Sequence, residues 1–257
     1  MNHPPESPPV TICVLTYGDF LRLTRRCLDS ILQHCDRSQY RLVVGANAVA
    51  PATAEYLAGL EAEGRIDRLV SSPVNLHKSP MMRRMFEGIE TELVWWFDDD
   101  ASVGDEDTFP ALLATARQAP DEVVMWGRRM FCQHPADFWE GDAVAFVRSA
   151  SWYRGLPPPS WRVGGKGEMN YRGQGTGNGQ WDFILGSCWL IRTRALRQLD
   201  WPDPRLVILG DDVFLGEAIR QQGWRCAEFK KGVVIPQEPR RWRLEPGGHL
   251  SGARRQD

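Results

Sequence analysis

The chain has 257 residues, of which 42% are hydrophobic and 25% are charged, a balance that fits one large α/β domain with a sizeable core. A formal net charge of −2 argues against nucleic acid as a partner. No window holds the roughly 18 apolar residues of a membrane span, and the first residues lack the features of a signal peptide. We therefore expect a cytoplasmic protein without a transmembrane segment, which would meet a lipid substrate only by peripheral contact.

The first half of the sequence alternates between strands and helices. Residues 1–9 are rich in proline and are expected to form a disordered lead-in. Apolar runs bounded by turn residues predict strands at 10–16, 41–48, 65–73, 92–100 and 122–131. Apolar residues at helical spacing predict helices at 20–35, 51–64, 79–90 and 107–119. Ser79 is expected to cap the third helix, with Pro80 at its first position. This alternation indicates an α/β fold whose mixed, mostly parallel sheet carries helices on both faces.

The amino-acid composition changes at the start of the second half. Residues 132–181 are rich in glycine, proline and aromatic side chains and show little periodicity. Such a segment inside a domain is often functional, so we predict a substrate-facing lid, and a packed structural insertion is the alternative. A strand and a helix are predicted over 182–199, and a further helix opens at Asp211 and Asp212. Residues 236–257 form a basic tail.

Six cysteines are present without C-x-x-C spacing, and several lie inside apolar runs. This pattern indicates reduced thiols in the core of a cytosolic protein. The 11 tryptophans are expected mostly in the core, but exposed tryptophan also stacks well on sugar rings. The tryptophan content therefore mildly favours a carbohydrate site.

Three aspartates end the predicted fourth strand directly after the apolar run WWF. Side chains two apart on a strand point to the same side, so Asp98 and Asp100 would converge and Asp99 would face away. Two converging carboxylates repel each other unless a cation neutralises them, and Mg²⁺ or Mn²⁺ prefers oxygen ligands. The alternative is a solvated acidic loop with a cap for the helix at 107.

A second acid pair, Asp211 and Asp212, follows another apolar run and opens a helix. One carboxylate there could act as a general base that takes a proton from an attacking hydroxyl. Acids in a first helical turn are also stabilised by the helix dipole and often cap the helix, which is the alternative interpretation.

Five stretches, taken in order, connect these acids to a known family. They are VTICVLTYGD, NLHKSPMMRR, FDDD, LGSCWLIRTRAL and GDDVFLG, spread over roughly residues 10–230. This succession resembles the family 2 glycosyltransferases with a GT-A fold, in which an Asp-x-Asp motif precedes a Glu/Asp-Asp motif. No single stretch is specific, but their order is.

The resemblance implies a role for each acid. Asp98 and Asp100 would hold a divalent metal and the diphosphate of a nucleotide-diphosphate sugar, with Asp99 nearer the ribose or the donor sugar. Asp212 would be the base that activates an acceptor hydroxyl, and Asp211 would orient it or hold the acceptor. Attack from the face opposite the nucleotide inverts the anomeric centre.

The resemblance also implies further contacts with the donor. Thr16 and Tyr17 would line the nucleobase pocket, although they could simply end a strand. Lys78, Arg83 and Arg84 are candidates for the diphosphate or the base, with a solvated basic helix face as the alternative.

The sequence departs from the family pattern after the second strand, at Asp211, where Glu is commoner, and in its metal ligands. The family usually has Asp-Asp-Gly-Ser after the second strand, where this chain has Gly45, Ala46 and Asn47. The amide of Asn47 could still contact a base, but the missing acid puts a UDP donor in doubt. A third metal ligand is not obvious, and His249 is the best-placed candidate, unless it is simply an exposed histidine of the tail.

We predict a single GT-A domain at 10–235, with a nucleotide-sugar-binding half at 10–130 and an acceptor-side half at 131–235. The acceptor, a carbohydrate, a lipid-linked saccharide or a small molecule, would lie under the irregular loop at 150–181. Its stacking platforms would be Trp152, Trp161 and Trp181.

Two other functions are alternatives to a metal-dependent inverting glycosyltransferase. A nucleotidyl- or phosphoryl-transfer enzyme usually carries a Gly-rich phosphate loop, and TYGDFLRLTRR is not one. A catalytically degenerate carbohydrate-binding protein is favoured by the altered stretch at 45–47, but such a protein has no need for a positioned base.

Overall fold

A seven-stranded mixed sheet forms the centre of the protein. The computed structural model describes residues 8–133, 160–162, 168–170, 180–203, 211–234, 242–245 and 249–252. The strands of the sheet are β1 (Val10–Gly18), β2 (Tyr40–Val49), β3 (Arg68–Ser72), β4 (Leu93–Asp98), β6 (Val123–Gln133), β9 (Gln180–Arg192) and β10 (Arg225–Glu228). Their spatial order is β10-β6-β9-β4-β1-β2-β3.

Within the described residues, three pairs of short strands lie outside this sheet. They join β5 (Ser102–Val103) to β11 (Val233–Val234), β7 (Ser160–Arg162) to β8 (Glu168–Asn170), and β12 (Trp242–Glu245) to β13 (His249–Gly252). The described helices are α1 (Leu21–His34), α2 (Pro51–Ala62), α3 (Lys78–Phe86), α4 (Thr108–Gln118), α5 (Thr193–Leu199) and α6 (Asp211–Gln221). A single 3₁₀ turn, Arg37–Gln39, leads into β2.

The sheet separates two apolar cores, and successive side chains of a buried strand point alternately into one core and the other. Trp95 packs with residues of α1, α2 and α4, whereas Trp96 packs with residues of α3, α5 and α6. Both side chains are about 1% exposed or less. The predicted α/β class, with helices on both faces of a mostly parallel sheet, is confirmed.

Strand β9 is the element that makes the sheet mixed. It runs antiparallel between β4 and β6, whereas β1 is parallel to both β2 and β4. An apolar run predicts a buried strand but not its direction, so the sequence did not indicate this insertion. The insertion carries the middle of β9 past the end of β4, where the predicted acids lie.

The start of α3 differs from the prediction. The helix begins at Lys78, which makes Ser79 and Pro80 its second and third residues, so the predicted cap by Ser79 with Pro80 at the first position is wrong. The hydroxyl of Ser79 is buried without a hydrogen-bond partner, as the second residue of the helix. The residue before the helix is His77, whose φ of 65° turns the chain sharply, and this turn sets where α3 starts.

The predicted placement of free thiols in the core is confirmed where the structure describes the side chains. Cys13, Cys27, Cys35, Cys188 and Cys226 are free and buried. Residues 1–7 of the expected lead-in lie outside the described residues, as do large parts of the predicted lid and of the tail. The proposed domain boundaries stay a prediction.

Candidate active site

Carboxylates from two distant parts of the chain meet beyond the carboxyl end of β4. Asp98 is the last residue of that strand, and Asp211 and Asp212 are the first two residues of α6. The strand runs parallel to β1, with Asp98 opposite Leu15. The end of a parallel strand in an open α/β sheet is where ligands usually bind. The structure thus brings both predicted acid groups to one edge of the sheet.

Lys78 connects the two acid groups. Its Nζ donates to Oδ2 of Asp98 at 3.0 Å and lies 3.2 Å from Oδ2 of Asp211. It also donates to the carbonyl oxygen of Gly186 in β9 at 3.1 Å. An ammonium group has three hydrogens, so these three acceptors satisfy it. The three partners come from β4, α6 and β9, and Lys78 itself opens α3.

The charge of Lys78 is set by two opposing effects. Burial disfavours the charged ammonium and on its own lowers the pKa of Lys78. The carboxylates of Asp211, Asp98 and Asp212 oppose this effect and raise the pKa above its ordinary value. Lys78 therefore remains positively charged at any physiological pH.

The carboxylate of Asp98 is held at both oxygens. The indole N–H of Trp96 donates to its Oδ1 at 3.0 Å, while Lys78 occupies Oδ2. The ring of Trp96 is itself fixed, because it stacks on Trp189 with ring centroids 5.8 Å apart. The orientation of Asp98 is therefore set by a buried aromatic pair.

Asp212 is oriented by the backbone of β9. The N–H of Gly186 donates to Oδ2 of Asp212 at 3.0 Å. A Cβ on Gly186 would lie 3.2–3.3 Å from Oδ2, Cβ and Cγ of Asp212, closer than side chains normally pack. The close approach of β9 to α6 therefore depends on a glycine.

The other two aspartates of the triplet have different surroundings. Asp99 is fully buried, and the hydroxyl of Thr24 in α1 donates to its Oδ2 at 3.4 Å. Thr24 in turn lies 3.0 Å from the hydroxyl of Thr16. Asp98 thus faces α3 and Asp99 faces α1. Strand β4 ends at Asp98, so the alternation expected to continue through Asp100 does not apply to the turn that follows. Asp100 follows in the turn after β4 and is half-buried.

Asn47 joins the end of β2 to the loop before α3. Its Nδ2 donates to Oδ1 of Asn75 at 2.9 Å and to the carbonyl oxygen of His77 at 3.4 Å. Its Oδ1 accepts from the N–H of Leu76 at 2.8 Å. The side chain is buried, and these bonds use both of its amide hydrogens and one of its acceptor sites. In this structure Asn47 serves to hold the chain that leads into Lys78.

The remaining predicted donor contacts are dispersed. Thr16 is buried beneath the edge of the sheet, whereas Tyr17 is half-buried beside Phe20. Arg83 bonds the carbonyl oxygens of Asp200 and Pro202, and Arg84 is exposed. The guanidinium of Arg83 also pairs with the carboxylate of Asp200 at 2.7 Å.

Four predicted site residues are not described at the level of side chains. Trp152 lies outside the described residues. Trp161, Trp181 and His249 are described only as backbone positions in β7, β9 and β13. Their predicted contacts with the acceptor and the metal stay predictions.

The carboxylate oxygens of Asp98 and Asp100 fit a hard divalent cation in chemical type. Within the part of the chain that the structure describes, however, no group of three or more His, Cys, Asp or Glu side chains is arranged to hold a metal. Mg²⁺ commonly completes its coordination with water and with a substrate phosphate.

Sequence reasoning missed the part that Gly186 and Trp96 play in this site. A glycine inside an apolar strand is a signal for close backbone approach, and LGSC contains one. Nothing in the sequence indicates which helix would approach it. The sequence also does not indicate which of the neighbouring tryptophans, Trp95 or Trp96, contacts Asp98.

Comparison with known proteins adds a family and a fold. Residues 8–245 match the family described as glycosyltransferase like family 2. No curated protein matches the sequence. Among the described residues, no helix is both long and apolar enough to cross a membrane.

Solved glycosyltransferase structures share the architecture at low sequence identity. The mannosyltransferase PcManGT from Pyrobaculum calidifontis, in complex with GDP-Man and Mn²⁺, is 19% identical with a TM-score of 0.58; the alignment covers 91% of this chain and 59% of that one. Residues 1–349 of S. aureus TarS, in complex with UDP, are 13% identical with a TM-score of 0.53, over 86% of this chain and 58% of that one. The chain thus spans less than two thirds of either protein, and the likeness shows a common fold.

Proposed function

Because the chain belongs to the glycosyltransferase like family 2 and has the GT-A fold, we propose that this glycosyltransferase moves a sugar from a nucleotide-diphosphate donor to an acceptor hydroxyl with inversion. The observation that carries the proposal is the meeting of Asp98 with Asp211 across Lys78. It unites the acids expected on the donor side with those expected on the acceptor side in one site.

The donor side of the proposed site consists of Asp98 and Asp100. Their carboxylates would hold Mn²⁺ or Mg²⁺ together with the diphosphate. When bound, such a cation stabilises the negative charge that develops on the leaving diphosphate. PcManGT was solved with GDP-Man and Mn²⁺, which supports a sugar nucleotide and a metal here without identifying either.

Asp212 is the proposed general base. The acceptor hydroxyl gives its proton to Asp212 while its oxygen forms a bond to the anomeric carbon. The bond from that carbon to the diphosphate oxygen breaks, and the nucleoside diphosphate leaves with the electron pair. The hydrogen bond from Gly186 holds Asp212 in one orientation, which general-base catalysis requires. Asp211 would orient Asp212 or the acceptor from its contact with Lys78.

Residues below the sheet edge support this chemistry indirectly. We assign Asp99 and Thr16 to positioning, rather than to ribose or base contact, because both side chains are buried. Tyr17 remains the proposed lining of the nucleobase pocket. The diphosphate is the proposed partner of Lys78, whereas Arg83 serves the chain at 200–202.

The test is a panel of sugar nucleotides, including GDP-mannose and UDP-GlcNAc, with and without Mn²⁺. Thermal shift reports binding, and slow donor hydrolysis reports activation. We expect one sugar nucleotide to stabilise the protein in a metal-dependent way, with the effect lost in Asp100→Ala. Asp212→Asn should keep donor binding and lose about 10²–10⁴-fold in transfer rate once an acceptor is found. If no sugar nucleotide binds with metal present, the proposed function is wrong.

A further inference from the structure

The ammonium group of Lys78 lies between carboxylates at this sheet edge, in the position where a bound metal ion would neutralise them. The carboxylates of Asp98 and Asp211 face each other across its ammonium group, at 3.0 and 3.2 Å. The side chain of Lys78 is only 16% exposed, and those of its two partners are 23% and 11% exposed. In so sheltered a place each carboxylate gains more from the ammonium than it would at an open surface.

The backbone fixes Lys78 in this position. The chain before it is held by Asn47 through Asn75, Leu76 and His77, and it passes through a φ of 65° at His77. A non-glycine residue in the left-handed region persists only where its surroundings impose it. The hydrogen bonds of Asn47 supply that constraint. The turn at His77 that they hold in place directs the ammonium group of Lys78 at the acids.

Both oxygens of Asp98 already accept a hydrogen bond, one from Trp96 and one from Lys78. A divalent cation that approaches Asp98 would meet the ammonium group as a like charge beside the same carboxylate. The repulsion falls only if Lys78 moves away from Oδ2 or if an anion arrives to share it. The diphosphate of the donor is such an anion.

We propose that Lys78 is a built-in counter-ion which keeps a divalent metal from binding Asp98 tightly until a diphosphate draws the ammonium group away. This inference rests on the proposed function only for the identity of the anion. It predicts that metal and nucleoside diphosphate bind cooperatively, and that the cooperativity resides in Lys78. Coupling of this kind is reciprocal, so the metal must strengthen diphosphate binding by the same factor.

The test measures Mn²⁺ alone, by electron paramagnetic resonance of the free ion and by calorimetry, without any sugar nucleotide. Lys78→Met should bind Mn²⁺ at least about tenfold more tightly than the wild type, a factor within the usual range of coupling between sites. Lys78→Arg retains the charge and should bind Mn²⁺ as weakly as the wild type. Lys230→Met is the matched control, because Lys230 is 65% exposed and paired with Glu228.

A double variant separates the effect of the ammonium group beside Asp98 from the effect of the net charge of the site. Lys78→Met with Asp211→Asn leaves the net charge unchanged, and it also avoids leaving two buried carboxylates without their cation. It should retain the tighter Mn²⁺ binding. Wild-type affinity in a folded double variant, checked by circular dichroism, would overturn the proposal. Addition of GDP or UDP should then tighten Mn²⁺ binding by the wild type far more than by Lys78→Met.

The outcomes distinguish this proposal from the proposed function. If Lys78→Met gains Mn²⁺ affinity but the wild type uses no sugar nucleotide, the function fails and the counter-ion role stands. If the wild type transfers sugar but none of the Lys78 variants changes Mn²⁺ affinity, the counter-ion role alone fails.

Discussion

Gly186 and Asp212 are both hydrogen-bonded and in close contact: the glycine N–H donates to Oδ2 at 3.0 Å, and the space for a Cβ is already taken by the carboxylate. Strand β9 and helix α6 therefore approach each other so closely at Gly186 that a larger side chain does not fit between them. The N–H of Gly186 thus positions the proposed base directly.

The first prediction concerns Gly186→Ala. The added methyl group must push Asp212 aside by a few tenths of an ångström, and a small misplacement of a catalytic group is costly. We expect kcat to fall about tenfold or more, while the dissociation constant of the donor stays unchanged. Steady-state kinetics and calorimetry measure the two quantities.

Gly59→Ala in α2 is the matched control for this substitution, because nothing lies within 4 Å of its added Cβ. It should leave kcat unchanged and raise the free energy of unfolding by about 0.5–1 kcal/mol, the usual difference between glycine and alanine inside a helix. Wild-type kcat in Gly186→Ala would remove the positioning role from Gly186.

Much of this site could be predicted from local sequence, but its connections could not. Asp98 and the pair at 211–212 were found because acids directly after apolar runs are costly and therefore informative. Lys78 was identified as a cation of the site, yet its partners depend on α3, β4, α6 and β9 meeting. Such contacts are set by the order of strands, which the pattern of any one strand does not contain.

The error at Ser79 has a related cause. Its type and its position before Pro80 are typical of a helix cap. The actual boundary is set by the turn at His77, and that turn is stabilised by Asn47, thirty residues earlier in the chain. A tertiary contact thus overrode a local preference.

The second prediction concerns Asn47→Ala. The substitution removes the bonds to Asn75, Leu76 and His77 and takes the side-chain acceptor away from the N–H of half-buried Leu76. We expect a loss of about 1–3 kcal/mol in the free energy of unfolding and weaker donor binding, because Lys78 loses its fixed direction. Urea unfolding and donor titration measure these effects.

Asn47→Asp refines this test. It keeps an acceptor for the N–H of Leu76 but turns a buried carboxylate oxygen toward the oxygens of Asn75 and His77, so its stability should lie below that of Asn47→Ala. An alanine variant as stable as the wild type would show that the loop holds its shape without Asn47.

The third prediction separates stability from catalysis at Arg192. This buried guanidinium donates to the carbonyl oxygens of Val123 and Ala116 at 3.1 and 3.0 Å and lies over the ring of Trp126. Arg192→Met should lower the free energy of unfolding by about 2–3 kcal/mol, because charged donors are lost from buried carbonyls. Well below the melting temperature, kcat/KM should not change.

Arg41→Met is the control for this substitution, since Arg41 is exposed on β2. It should alter stability by no more than about 0.5 kcal/mol. A drop of kcat/KM in folded Arg192→Met would connect Arg192 to the site.

The fourth prediction concerns alkaline pH. Burial raises the pKa of the Cys35 thiol from its ordinary value of 9.0 to about 12, and burial raises that of Cys226 to about 12 as well. Between pH 9 and about pH 12 the unfolded chain loses thiol protons that the folded chain keeps. The stabilising contribution is therefore complete below pH 9 and falls as the pH rises from about 9 to about 12.

Urea unfolding at pH 7.5, 9 and 10.5 measures this dependence. The fall in stability between the last two values should be smaller in Cys35→Ala than in the wild type, whatever the variant costs in stability at neutral pH. Identical slopes for the two proteins would exclude Cys35 as a source of the effect.

The position of β9 has a consequence for how the enzyme is made. During synthesis β4 leaves the ribosome with β1 on one side and an open, apolar edge on the other, and that edge stays open until residue 192 has emerged. Exposed edges of this kind pair readily with other chains. The strand that closes the gap also carries Gly186, which contacts both Lys78 and Asp212. A nascent chain therefore gains protection from aggregation in the same folding step that places Gly186 beside Lys78, and Asp212 joins them once α6 has emerged.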